Sequence, residues 1–221
     1  GQVGAQRAAE YIANARPDYV PKLSSLRSRL REVAEELLED LRATLARGRK
    51  AKTPPEAAMR EIRQRMTRFG AHLRSREGAV AALAEAGRQY RAICEEGLKI
   101  ASPARLRDAI AARQQCLTHL AILKAICVLL ERGAGSRGSH CVLDGGGVEM
   151  HPRLVDPQTG KPYRFLAENE ALRNEIVHLR HDPQAKDLFA VRVVPPRPIP
   201  SLDVAFEPAW AQFREGKIYD A

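Results

Sequence analysis

LTHLAILKAICVLL, residues 117–130, is the stretch that decides the fold. Apolar side chains fall on nearly every face of a helix wound from it, so it belongs at the centre of a helical assembly. The run is shorter than the ~18 uncharged apolar residues of a membrane span. It also carries His119 and Lys124, and so reads as a buried helix and not a membrane-spanning one. Upstream, Ser102-Pro103 opens the same helix, and Leu106, Ile110, Gln114, Leu117, Leu120 or Ala121, Lys124, Cys127 and Leu130 trace its drift around the axis. Downstream, Gly133-Ala134-Gly135-Ser136-Arg137-Gly138-Ser139-His140 cannot continue a helix cheaply, because glycines disfavour it.

Working outward, the remaining helices show one apolar stripe each. Val3, Ala8, Tyr11 and Ile12 recur at helical intervals until Arg16-Pro17 stops the segment. From Leu23 a long helix carries Leu26, Leu30, Val33, Leu37, Leu41 and Leu45 on one face and ends at Gly48. Pro54-Pro55-Glu56 suits a helix start, with Met59, Ile62, Met66 and Phe69 continuing to Gly70. Ser75 is the N-cap of the next, in which Val80, Leu83, Ala86, Tyr90 and Cys94 align.

After Gly133 the chain changes character. Val148 to Leu154 reads as a short strand, Asp156 to Gly160 as a turn and Asn169 to Leu179 as a short helix. Leu188 to Val194 reads as an edge strand, and Pro195 to Pro200 as an extended, polyproline-like segment. The expected fold is mainly α, an antiparallel helical bundle over residues 17–132, with a Gly/Pro-rich irregular C-terminal extension, 133–221, containing short strands.

Composition agrees with helices. Aromatic residues are only 5% of the 221, so the core draws on aliphatic helix formers. Gly1 to Ala15 lack the pattern of a secretory signal. Cys94, Cys116, Cys127 and Cys141 form neither a C-x-x-C pair nor a disulfide framework, which points to reduced thiols and a cytoplasmic location. The net charge of +9 raises nucleic acid as a partner. Arginines between Arg27 and Arg76 alternate with acids, however, and only Arg47 to Lys52 is densely basic, at a helix end where positive charge complements the dipole. Nucleic acid is therefore not the expected partner.

Candidate chemistry is sparse. The glycines of 133–140 could bring backbone N–H groups onto an anion, but they follow a helix and lack the Lys-Ser/Thr ending of a P-loop, so a glycine-rich helix terminus is the plainer reading. His140 and His151 flank Cys141, and His178 and His181 are spaced by three, yet neither forms a zinc framework. Ser136 and Ser139 lack a nucleophile-elbow context. Read from the residues alone, the chain is a self-standing helical interaction or adaptor module with basic faces.

Three segments carry a resemblance. Gly1-Gln2-Val3-Gly4-Ala5-Gln6-Arg7-Ala8-Ala9-Glu10-Tyr11, then Met59 to Met66 with Leu73 to Val80, then Arg113 to Arg132 ending in Gly135-Ser136-Arg137-Gly138-Ser139-His140, taken in order, resemble the C-terminal region of succinate dehydrogenase/fumarate reductase flavoproteins and their L-aspartate oxidase-like relatives. The last segment is similar to that family's terminal Ser-Arg-Gly-Ala-His motif. Gly135 stands where the family usually has Glu, Val142 where a second Arg often follows the His, and Gly145-Gly146 where an aromatic-Pro pair often follows Asp144, which favours a divergent relative. The resemblance implies that residues 1–16 close an upstream FAD-binding domain of an oxidoreductase, and that FAD and the catalytic Arg and His residues lie upstream. No catalytic, cofactor-binding or metal residue is carried over. Ser136, Arg137, Gly138 and His140 are the inter-domain candidates, with Arg137 and His140 expected to fix the bundle terminus by charge-assisted hydrogen bonds. The implied partners are the FAD-binding domain of the same protein and an iron–sulfur electron-transfer subunit, through which the protein could associate with a membrane.

Overall fold

The computed structural model describes residues 2–15, 23–138, 140–149, 153–185, 187–196, 211 and 214–217. The expected extended segment from Arg197 to Pro200, the residues Phe206 to Trp210 and His151 lie outside them. The fold is mainly α. In chain order the elements are α1 (Gln2–Ala15), α2 (Leu23–Gly48), α3 (Pro55–Arg65), β1 (Leu73–Arg74), α4 (Arg76–Glu96), α5 (Leu106–Glu131), β2 (Cys141–Glu149), β3 (Arg164–Phe165), β4 (Ile176–His181) and β5 (Phe189–Val194).

Two compact units divide the chain, Leu38–Pro196 and a second made of Gly1–Leu37 with Arg197–Ala221. The larger unit runs past Gly133 without a break. The change of composition there marks a change of secondary structure, not a domain boundary, because Val142 and Phe189 join the core that α4 and α5 build.

That core begins with three alanines. Ala79, Ala82 and Ala86, spaced by three and four on α4, are 0% exposed and let its backbone approach α5 closely. They meet Leu120, Leu123, Ile126, Cys127 and Leu130 of α5. At the other end of the bundle, Ala58 and Ile62 of α3 and Ile93 of α4 pack with Ala109, Ala112 and Cys116. The two clusters place α4 antiparallel to both α3 and α5. By length and hydropathy the helix Pro103–Glu131 could cross a membrane. In this fold it is the element on which α3, α4 and β4 converge.

Helix ends follow the local sequence. Pro55 occupies the first turn of α3 beside Glu56, and the Ser75 hydroxyl oxygen accepts the Gly78 N–H at 3.0 Å to cap α4. α3 passes into a π-helical turn, Met66–Gly70, that the apolar spacing did not reveal. The end of α2 is held in the larger unit. Arg113 grips Asp40 with two bonds of 3.1 and 2.7 Å, and Ile100 N–H donates to Gly48 C=O at 2.9 Å. A Cβ on Gly48 would collide with the Ile100 side chain, so the backbones meet there only with glycine.

Two C-terminal expectations are corrected. The segment read as a helix over Asn169 to Leu179 is a 3-10 turn, Glu170–Asn174, capped by the Asn169 side chain, followed by β4. β4 pairs antiparallel with β5 from Ile176↔Val194 to His181↔Phe189, and these cross-strand bonds override the local helical pattern. The strand read over Val148 to Leu154 begins earlier, at Cys141. Leu143 and Val148 both pair with Phe165, with Asp144 to Gly147 looped out as a bulge between them.

Among the described residues, one buried side chain lacks a partner. His119 of α5 is 2% exposed, and neither ring nitrogen has a hydrogen bond. Burial first, and the charge of Arg65 second, push its pKa down from the ordinary 6.5 to about 4. The folded protein therefore refuses a proton that the unfolded chain accepts between those values. The stability that neutral His119 contributes is fully present above pH 6.5 and is lost as the pH drops toward 4. His119→Leu, which removes the titration, should flatten that decline, as read by urea unfolding across the same pH window.

Candidate functional site

All four inter-domain candidates sit where α5 ends. Gly133, at φ +88°, turns the chain, with Gly133 N–H donating to Leu130 C=O at 3.1 Å and Ala134 N–H to Leu129 C=O at 2.9 Å. This is the Schellman arrangement. Side chains close what remains of the terminus. Arg76 donates to Leu130 C=O at 2.7 Å, and Arg132 makes a fork on Glu175 with bonds of 2.6–2.9 Å.

The chain then makes a tight loop. Arg137 N–H donates to His140 C=O at 3.0 Å and His140 N–H returns to Arg137 C=O at 3.2 Å, with Gly138 at φ +59°. Ser136 is buried, and its backbone N–H donates to Leu166 C=O at 2.9 Å while its hydroxyl oxygen accepts the Val142 N–H at 2.9 Å. β1 lies parallel to the start of β2, with Leu73 opposite Cys141 and Arg74 opposite Val142.

Gly135 is the tightest point. A Cβ there would run into the Ala167 carbonyl oxygen, so the loop and the 164–168 segment meet backbone to backbone. A side chain such as Glu at this position would not fit this geometry.

Charge surrounds the loop. Arg137 reaches Glu168 at 3.3 Å, and Arg173 holds the same carboxylate with two bonds of 2.9 Å. The Arg173 bonds, with Arg137 adding, hold Glu168 below the usual carboxylate range. Burial, then Arg74, pushes the His140 pKa down, and a bond to the Gly135 backbone opposes the shift. Arg74 is turned inward to the Ala71 and Gly70 carbonyls at 2.9 and 3.0 Å. Within the chain, Arg137 and His140 thus bind their own loop and its neighbour.

A recess of about 210 Å³ opens beside these residues, lined by the apolar Ile126, Leu129 and Leu172 and by the charged Arg74, Arg137 and Glu168. That is below the ~300–1,000 Å³ of ordinary ligand pockets and suits one inserted side chain. A wider cleft of about 590 Å³ at the start of α4 mixes Arg76, Lys161 and Arg164 with Asp144 and Asp156, without converging on one charge.

Catalytic groups do not assemble here. The Ser136 hydroxyl is occupied by Val142 N–H. Among the described residues no three His, Cys, Asp or Glu side chains cluster as metal ligands. His178 and His181 lie on β4, not on a helix. All four cysteines are free thiols, and burial pushes Cys116 up to about 12, far from a reactive thiolate. The N–H groups of Gly133, Ala134 and Ser136 are bonded to carbonyls, so the stretch does not fit a flavin pyrophosphate. Sequence reading missed the Arg137–Glu168 pair and the Arg132–Glu175 fork, because each spans tens of residues, and it missed Arg74 because its partners are nearby backbone carbonyls of Gly70 and Ala71, which no side-chain spacing signals.

Gly135→Ala should lower stability by about 1–3 kcal/mol, the range for forced overpacking. Gly146→Ala, where only the Asp144 carboxylate lies near, at 3.8 Å, should change it far less. Denaturant unfolding of the two variants side by side reads the difference.

Set against protein-family models, curated proteins and solved structures, the chain matches none.

Proposed function

We propose that this chain is the C-terminal helical part of an FAD-dependent oxidoreductase of the succinate dehydrogenase/fumarate reductase type, and that it supports the flavin domain without carrying the catalytic site. The observation that carries this reading is the face of α1. Ala8, Tyr11 and Ile12 are exposed, Ile12 by 58%, on a helix of 14 residues. Isolated helices shorter than ~12–15 residues are marginal in water, so such a helix needs a surface to lie on. The resemblance assigns this segment to the closing helix of the flavin domain, which would supply that surface.

The loop at the end of α5 supports the same reading. Its motif residues serve architecture, and its recess suits a single side chain from a neighbouring domain. A cytoplasmic location and an iron–sulfur electron-transfer partner belong to this proposal. The adaptor reading draws on a different feature, the exposed Arg49, Lys50 and Lys52 at the end of α2, which could meet an acidic partner.

The native protein from its source, purified without proteolysis, separates the two. Expected is a yellow polypeptide longer than 24.5 kDa with the visible absorbance of oxidised flavin. A colourless product of 24.5 kDa would overturn the oxidoreductase reading and leave the adaptor.

A further inference from the structure

Along α2, every residue from Leu26 to Asp40 is exposed, and burial begins only at Leu41. Within the exposed part, Leu26, Leu30, Val33 and Leu37 recur by four, three and four, the a/d spacing of a coiled coil. Leu30 and Leu37 are about as exposed as any leucine on the described surface, at 60% and 59%. A stripe this regular needs a cover.

Its charges identify that cover. Arg27 and Arg29 flank the first half of the stripe, and Ala34 and Glu36 flank the second. A parallel copy in register would set Arg29 beside Ala34 and Glu36 beside Leu41 of the other chain, with no opposite charge for either to meet. An antiparallel copy, with its two-fold axis passing between Arg31 and Glu32, sets Leu26 against Leu37 and Leu30 against Val33 of the other chain. The same register brings Arg29 beside the other chain's Glu36, twice by symmetry. The stripe is therefore complementary to itself in both shape and charge, the condition for an isologous contact.

We propose that the exposed half of α2 pairs antiparallel with the same helix of a second copy of this chain. The pairing buries the four apolar residues in two mixed layers repeated about the axis and closes them with two Arg29–Glu36 contacts. It uses α2 and not α1, so it stands apart from the flavoprotein reading.

Sedimentation equilibrium of the full 221-residue chain, over a dilution series, tests it. The expected mass is twice 24.5 kDa, dissociating on dilution. Arg29→Glu sets like charges against each other twice and should give the monomer, as should Leu30→Glu. Arg29→Glu combined with Glu36→Arg should restore the dimer, a recovery that only the antiparallel register allows. These side chains lie outside the core, and circular dichroism should show the helix content of the unaltered chain in each variant. A monomer at every concentration would overturn the proposal, as would a dimer indifferent to Arg29→Glu or one that the double exchange fails to restore.

Discussion

The close approach of α4 to α5 is the constraint on which the rest of the larger unit depends. Ala79, Ala82 and Ala86 remove side-chain bulk from one line along α4, and Leu120, Leu123 and Cys127 fill the space. Any larger residue at these alanines would push the two helices apart. Separation would also release α3, whose Ala58 and Ile62 pack on α5, and Gln89, which joins α4 to α3 by donating to Ala58 C=O at 3.2 Å and to Glu61 at 2.9 Å. Arg65 completes this lattice with bonds to Gln89 and Glu85 at 2.8 and 3.2 Å. Packing thus sets the helix spacing, and polar side chains fix the register.

The same seam governs the C-terminal segment. Because α5 ends in a fixed turn, residues after Gly133 leave at a defined angle, and Ser136 anchors two neighbouring backbones at once through Val142 and Leu166. Val142 and Phe189 then close one end of the core. The residues that resemble a flavoprotein motif act here as joints. A docked domain would meet a loop whose shape is already set, which lowers the ordering cost of that contact.

Much of the helical part was legible in the sequence. Apolar spacing located the helices, Gly48 and Gly133 marked two of their ends, and Ser75 was recognisable as a cap. Spacing could not show that residues 133–196 share the bundle's core, because Val142 and Phe189 lie in short apolar runs, Cys141 to Leu143 and Leu188 to Val191, whose packing partners on α4 and α5 are distant in sequence. It also mistook Ile176 to Leu179 for helix. The apolar residues there admit either period, and the decision rests with β5, more than ten residues on. Glu168 gave no local sign of its role, since Arg137 reaches it only after the chain has turned through β3. The unpartnered His119 was visible as a histidine in an apolar run, but its missing hydrogen bonds are a property of the packed helices alone.

The central claim is that α4, α5 and the segment through β5 form one cooperative unit built on the alanine seam. Native-state hydrogen exchange tests it most directly, by comparing the amides of Ser136, Val142 and Leu166 with those of Leu123 and Ile126 in α5. The account predicts one shared opening free energy for both groups, changing together with denaturant. Exchange of Ser136, Val142 and Leu166 through a separate, lower-energy opening, while α5 stays protected, would contradict it.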